Sequence, residues 1–128
     1  MNPVVHFEMP YNDADRAAKF YEEAFGWKTG RMPGMDGDYV TLETAETKDG
    51  RPTQPGTING GLWKKNESRP AQVPSFVIAV EDLEKAMAAV TSGGGEVLGE
   101  PYDIPGVGTY VSIYDTEGNR VSLLQPAR

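Results

Sequence analysis

The chain has no cysteine, which removes disulfides, thiol nucleophiles and thiolate metal sites together. It has a single histidine, His6, so any imidazole chemistry rests on that residue. No apolar run approaches the ~20 residues that a membrane helix needs. The opening Met1-Asn2-Pro3-Val4-Val5 carries neither a basic stretch nor an apolar one, so no secretory signal is expected and a cytoplasmic location is the default. Positive charge is scarce, 12 Lys and Arg against 19 Asp and Glu, giving a net charge of −7. Nucleic-acid binding relies on clustered cations, and the nearest approach, Lys64-Lys65 with Arg69, reads as a solvated linker. The acidity leaves a neutral or cationic small ligand electrostatically favoured.

What remains is a sequence of 128 residues, 38% hydrophobic and 24% charged, suited to one globular domain over 1–128. Strict alternation puts Val5, Phe7 and Met9 on one face of an opening strand and Val4, His6 and Glu8 on the other. Pro10 ends that strand. Asn12 or Asp13 caps a helix over 13–25, striped by Ala14, Ala17, Ala18, Tyr21 and Ala24 and stopped by Gly26. Strands follow at 27–31, 38–43 and 57–63, with 44–55 a long polar loop.

After a linker over 65–72 the pattern restarts. Ser75–Val80 is a strand, and Asp82 caps a helix over 82–92 striped by Leu83, Ala86, Met87 and Val90. The triplet Gly93-Gly94-Gly95 follows a helix rather than opening one, so it reads as a stop and not as a phosphate cradle. A short strand at 96–98, a loop at 99–108 and strands at 109–114 and 120–125 complete the chain. One fixed offset pairs Phe7 with Phe76, Met9 with Ile78, Asp13 with Asp82, Ala17 with Ala86 and Gly26 with Gly95. A helix-stopping glycine recurring at the same offset points to duplication. The reading is an α+β fold of two tandem βαβββ modules, in halves 1–64 and 73–128.

Several short motifs keep a consistent order. His6 precedes the helical Phe20-Tyr21, Phe25-Gly26-Trp27 follows that helix, and Val80-Glu81-Asp82-Leu83 opens the second. Asp115-Thr116-Glu117-Gly118-Asn119 forms a turn before the last apolar strand. In these features the chain resembles the vicinal-oxygen-chelate superfamily of glyoxalase I, extradiol dioxygenases and bleomycin-resistance proteins. Pro55–Leu62 resembles a loosely defined glyoxalase-related bacterial branch. The resemblance implies a mixed β-sheet curled into a cup, with the helices on its outer face. Val5, Phe7, Met9, Phe76, Ile78, Val111, Ile113, Val121 and Leu123 would then pack under the helices. His6, Glu8, Ser75, Val77, Tyr110, Ser112, Tyr114 and Ser122 would line the cup. It further implies a homodimer.

Metalloenzymes of that superfamily hold a divalent ion through four side chains. His6 matches the first position, Gly60 or Gly61 the second, Ser75 the third and Ser122 the fourth. Glycine has no ligating side chain and neutral serine is a poor ligand, so no metal or other cofactor is expected. Tyr39, Trp63, Tyr110 and Tyr114 offer stacking surface and hydroxyl donors, although each alone also suits rim packing. His6 and Glu8 share a face about 6.5–7 Å apart, as a proton-shuttling pair or as a structural ion pair. No nucleophile motif accompanies the serines. Two functions compete: a metal-free protein binding a small molecule through His6, Glu8, Trp63, Ser75, Tyr110, Ser112 and Ser122, or a glyoxalase-like lyase, isomerase or dioxygenase using His6 and Glu8.

Overall fold

The computed structural model describes residues 1–34 and 37–127. Ten strands and two main helices run in the order β1 (Val4–Tyr11), α1 (Ala14–Phe25), β2 (Lys28–Met32), β3 (Tyr39–Glu43), β4 (Thr47–Lys48), β5 (Arg51–Pro52) and β6 (Asn59–Lys64). They continue with β7 (Ser75–Ala79), α2 (Leu83–Ser92), β8 (Glu96–Ile104), β9 (Gly108–Tyr114) and β10 (Arg120–Pro126). The fold is α+β, with eight sheet strands shared between two βαβββ units. One compact unit is His6–Pro74; the other joins Met1–Val5 to the chain from Ser75 onward.

In the first unit the strand order is β2-β3-β6-β1. β6 lies parallel to β1 and antiparallel to β3, and β3 is antiparallel to β2. The second unit repeats the plan with β7-β10-β9-β8, β10 being parallel to β7 and antiparallel to β9. Each unit therefore places its first and last strands side by side and parallel, the helix and the intervening strands forming the long connection that parallel neighbours need. Met1–Val5 adds to the second unit through Ala79 N–H, which donates to Pro3 O at 2.9 Å.

Helix ends follow the sequence signals. Asp13 Oδ1 accepts from Arg16 N at 2.9 Å and Asp82 Oδ1 from Lys85 N at 3.0 Å, each satisfying a first-turn amide. Gly26 closes α1 with φ of 71°, a left-handed position that suits a residue without Cβ, and its N–H donates to Glu22 O at 3.0 Å.

Each unit has its own apolar core. Ala18, Val40, Leu42 and Leu62 are buried in the first, with Phe7, Met9, Ala14, Ala17 and Trp27 packed around them. The second buries Val80, Leu83, Val111, Ile113, Val121 and Leu123, flanked by Ile78, Ala86, Met87, Val90 and Val97. Burying such a side chain contributes about 1.5–3 kcal/mol each.

Several expectations need correction. Pro10 does not end β1, which runs on to Tyr11 with Pro10 paired to Trp63. Val5 and Phe76 are 38% and 42% exposed and belong to neither core, and Val77 of the opposite set is buried at 2%. Ala24 is exposed, since the aromatic stack of Tyr21 on Trp27, with centroids 4.9 Å apart, ends the buried stripe first. Residues 44–55 are not wholly loop: β4 and β5 form a small hairpin, tied down by Thr53 N–H donating to Glu46 O at 2.9 Å. β8 runs on to Ile104 through a register irregularity between Leu98 and Tyr102, where Gly99 takes φ of 73°. Residues 105–107 are only the turn into β9, closed by Val107 N–H to Ile104 O at 2.9 Å.

Candidate functional site

The pleat assigns a polar face in each unit. In the first unit, parallel pairing sets His6 beside Asn59 and Glu8 beside Gly61, while Thr41 pairs Gly61 from the other side. The second family metal position, open between 60 and 61 in the sequence, is thus Gly61 on the His6 face; Gly60 instead backs onto Phe7. A Cβ on Gly61 would lie 2.1 Å from the Tyr39 ring. The absence of a side chain is what lets Tyr39 lie across the strand. Its hydroxyl there meets His6 Nε2 at 2.8 Å.

Burial holds the His6 imidazole below its ordinary pKa of 6.5, because the interior penalises the charged form. His6 is therefore neutral at pH 7, one ring nitrogen engaged with a phenol. Glu8 is only 6% exposed and Trp63 half-buried. Asn59 braces the neighbouring loop: its Oδ1 accepts from Thr44 N at 2.9 Å and its Nδ2 donates to Thr47 Oγ1 at 2.8 Å.

In the second unit the face carries Ser75 from β7, Ser122 from β10, and Tyr110 and Ser112 from β9. Register explains their meeting, since Ser122 pairs directly with Ser112. Ser122 is fully buried, its Oγ 2.5 Å from the Tyr110 hydroxyl and 3.4 Å from Ser112 Oγ. All four residues were candidates from the family resemblance together with strand alternation.

Sequence reasoning missed the group that links them. Arg120 Nη1 donates to Ser112 Oγ at 3.0 Å and to Ser122 Oγ at 3.2 Å, and Nη2 donates to Ser75 Oγ at 3.3 Å. Arg120 is two residues before Ser122 on one strand, so the same alternation that selected Ser122 was the signal that could have found it.

These residues do not fit the family's divalent ion. Gly61 offers no donor atom and its space belongs to Tyr39. The Ser75 and Ser122 oxygens each accept from a guanidinium, itself a permanent cation. Among the described residues no three His, Asp or Glu side chains group as a metal site. A hollow of about 520 Å³ elsewhere in the first unit, bordered by Met9, Ala17, Phe20 and Leu62, lies on the helix side.

Fold and faces together define a duplicated βαβββ protein in which the strands of each unit carry polar residues opposite its helix. The chain belongs to the Glyoxalase/Bleomycin resistance protein/Dioxygenase superfamily, whose sequence profile matches residues 4–123. It is 35% identical over 120 residues to a glyoxylase-like domain-containing protein of Didymella fabae, covering 88% of this chain and 84% of that one. It is 30% identical to CFP32 of Mycobacterium bovis, a candidate glyoxylase, over 94% of this chain. The chain spans only 42% of that relative's length.

Among solved structures, methylmalonyl-CoA epimerase from Mycobacterium tuberculosis superposes with a TM-score of 0.71 at 18% identity, covering 98% of this chain and 88% of that one. The Streptomyces coelicolor epimerase in complex with 2-nitronate-propionyl-CoA gives 0.73 at 18% identity, covering 98% and 97%. At such identity these likenesses speak for the fold alone. Among the described residues no helix is long and apolar enough to cross a membrane.

Proposed function

We propose that this chain is a small-molecule-binding member of its superfamily that works without the family's metal ion. The observation that carries the reading is the junction of Ser75, Ser112, Ser122 and Tyr110 around the Arg120 guanidinium. A few placed hydrogen-bonding groups beside aromatic surface are what a small-molecule site needs, and Tyr102 packs on Tyr110 with centroids 5.4 Å apart. In the first unit, taken by itself, His6, Glu8 and Trp63 are the ligand-binding residues we assign, on one face of the paired strands β1 and β6. Family membership supports assembly as a homodimer. Native mass spectrometry of the purified protein tests both points: a dimer with a co-purified organic molecule and no metal adduct is expected. A stoichiometric divalent ion lost on His6→Ala would overturn the metal-free reading.

A second reading rests on a different contact. A neutral imidazole 2.8 Å from a phenol is a proton-transfer pair, and it supports lyase or isomerase chemistry through His6, with Glu8 on the same face. Isomerisation of the hemithioacetal of a 2-oxoaldehyde and a thiol to its thioester, surviving chelation and disappearing in His6→Gln, would favour it.

A further inference from the structure

We infer that the outer face of α1 around Phe20 is where a second copy of this chain docks, the two helices lying antiparallel about a two-fold axis. The inference rests on the homodimer reading and adds the surface that forms it; it asks nothing of the small-molecule site. All residues of this face belong to the first unit, His6–Pro74.

Phe20 is 56% exposed and Phe25, on the same helix, 62% exposed. Edge contacts to Tyr21 and Phe25, with centroids 5.0 and 6.2 Å apart, hold the Phe20 ring in place. A large ring fixed in this way loses little freedom on docking and takes apolar surface out of water when it docks. Beside it lies the hollow of about 520 Å³, walled by Met9, Ala17, Leu62 and Phe20 itself. That volume exceeds what one aromatic side chain fills. Knob and hole thus adjoin on one face, the condition under which two identical surfaces fit each other reciprocally. A Phe20 leaning across the axis enters the partner copy's hollow while its own hollow receives the partner's Phe20.

Charge along the same stripe selects an antiparallel copy as the partner. Arg16, Phe20 and Glu23 stand at i, i+4 and i+7 on α1, and all three are exposed. At 1.5 Å of rise per residue the cation lies about 6 Å before the ring and the anion about 4.5 Å beyond it. Turning the helix about an axis at Phe20 therefore sets each Arg16 against the partner's Glu23. A parallel copy would oppose like charges. Arg16 forms no ion pair with any described residue. Among the described residues Glu23 pairs only with Lys19, at 3.9 Å with both side chains mostly exposed, a contact that contributes little and is easily shared. The stripe carries both signs, so it escapes the repulsion that a net charge of −7 imposes on two copies elsewhere.

Analytical ultracentrifugation across about 1–100 μM protein, the range that brackets a small interface of this kind, tests the assignment. A reversible dimer is expected. Phe20→Ser should weaken it about 30-fold or more, as loss of a central aromatic anchor does. Arg16→Glu and Glu23→Arg should each weaken it about threefold or more by opposing like charges, and the double variant should recover most of the wild-type affinity. Thermal melts and native mass spectra accompany every variant. Should Phe20→Ser fail to fold, the charge series decides, since both its positions are exposed. A dimer unchanged by Phe20→Ser, or a double variant no tighter than either single one, overturns this face and leaves the homodimer standing. A wild-type monomer at every concentration overturns both. A monomer carrying an organic molecule that is lost in Phe20→Ser gives the hollow to a small ligand and likewise overturns the dimer face.

Discussion

His6 shows how much a single side chain depends on its surroundings. Its face follows from alternation, but its protonation follows from burial, and its hydrogen-bond partner is Tyr39, 33 residues away. A lowered pKa means that protons bind the unfolded chain more readily than the folded one. Its contribution to stability is fully present above the ordinary value of 6.5 and is lost as pH falls below it. Because it is the only histidine, its ring-proton resonances need no assignment strategy. An NMR titration should give a midpoint below 6.5, and thermal melts should fall between pH 6.5 and acidic pH. His6→Gln, which does not titrate, should flatten that part of the profile. A midpoint at or above 6.5 would show the imidazole to be solvated or paired with an anion.

At the scale of elements, each helix depends on an aspartate cap and a glycine stop. Asp13→Ala removes the acceptor for Arg16 N, at a cost of about 1 kcal/mol, and denaturant melts should show it without a change in slope. Asp82→Ala should cost a similar amount, as its bond to Lys85 N has nearly the same length. The two caps were legible because a capping residue acts within its own turn. The hairpin of β4 and β5 and the extension of β8 were not. Both interrupt the apolar alternation with Gly, Pro and charged residues that elsewhere mark loops. Their pairing is decided by backbone hydrogen bonds to partners the local pattern does not name.

For the whole molecule, the most consequential outcome of duplication is that each half carries a polar face on its own four strands. The donor set argues that added Zn²⁺, Mn²⁺ or Ni²⁺ gains no affinity for the folded state. Thermal melts with and without each ion should therefore coincide. A tightly bound metal would raise the midpoint by mass action, about 2.7 kcal/mol at a hundredfold excess over its dissociation constant. A rise of that size, abolished in His6→Ala, would restore the metal reading. In the first unit the relevant space is filled by Tyr39 over Gly61, and in the second the serine oxygens are committed to Arg120.

The sequence by itself determined the two βαβββ modules, the helix ends at Asp13, Gly26 and Asp82, and which side of each strand His6, Glu8, Ser75, Ser112 and Ser122 occupy. All of these are consequences of periodicity and of bonds spanning a few residues. Tertiary structure alone decided that Gly61, not Gly60, shares the His6 face, because that depends on the register of β1 against a strand about 50 residues later. It also decided that Arg120 reaches Ser75, 45 residues away, and that Tyr39 reaches His6. Side chains meet across a sheet according to which strands pair and in what register, and neither is written in the period of any one strand.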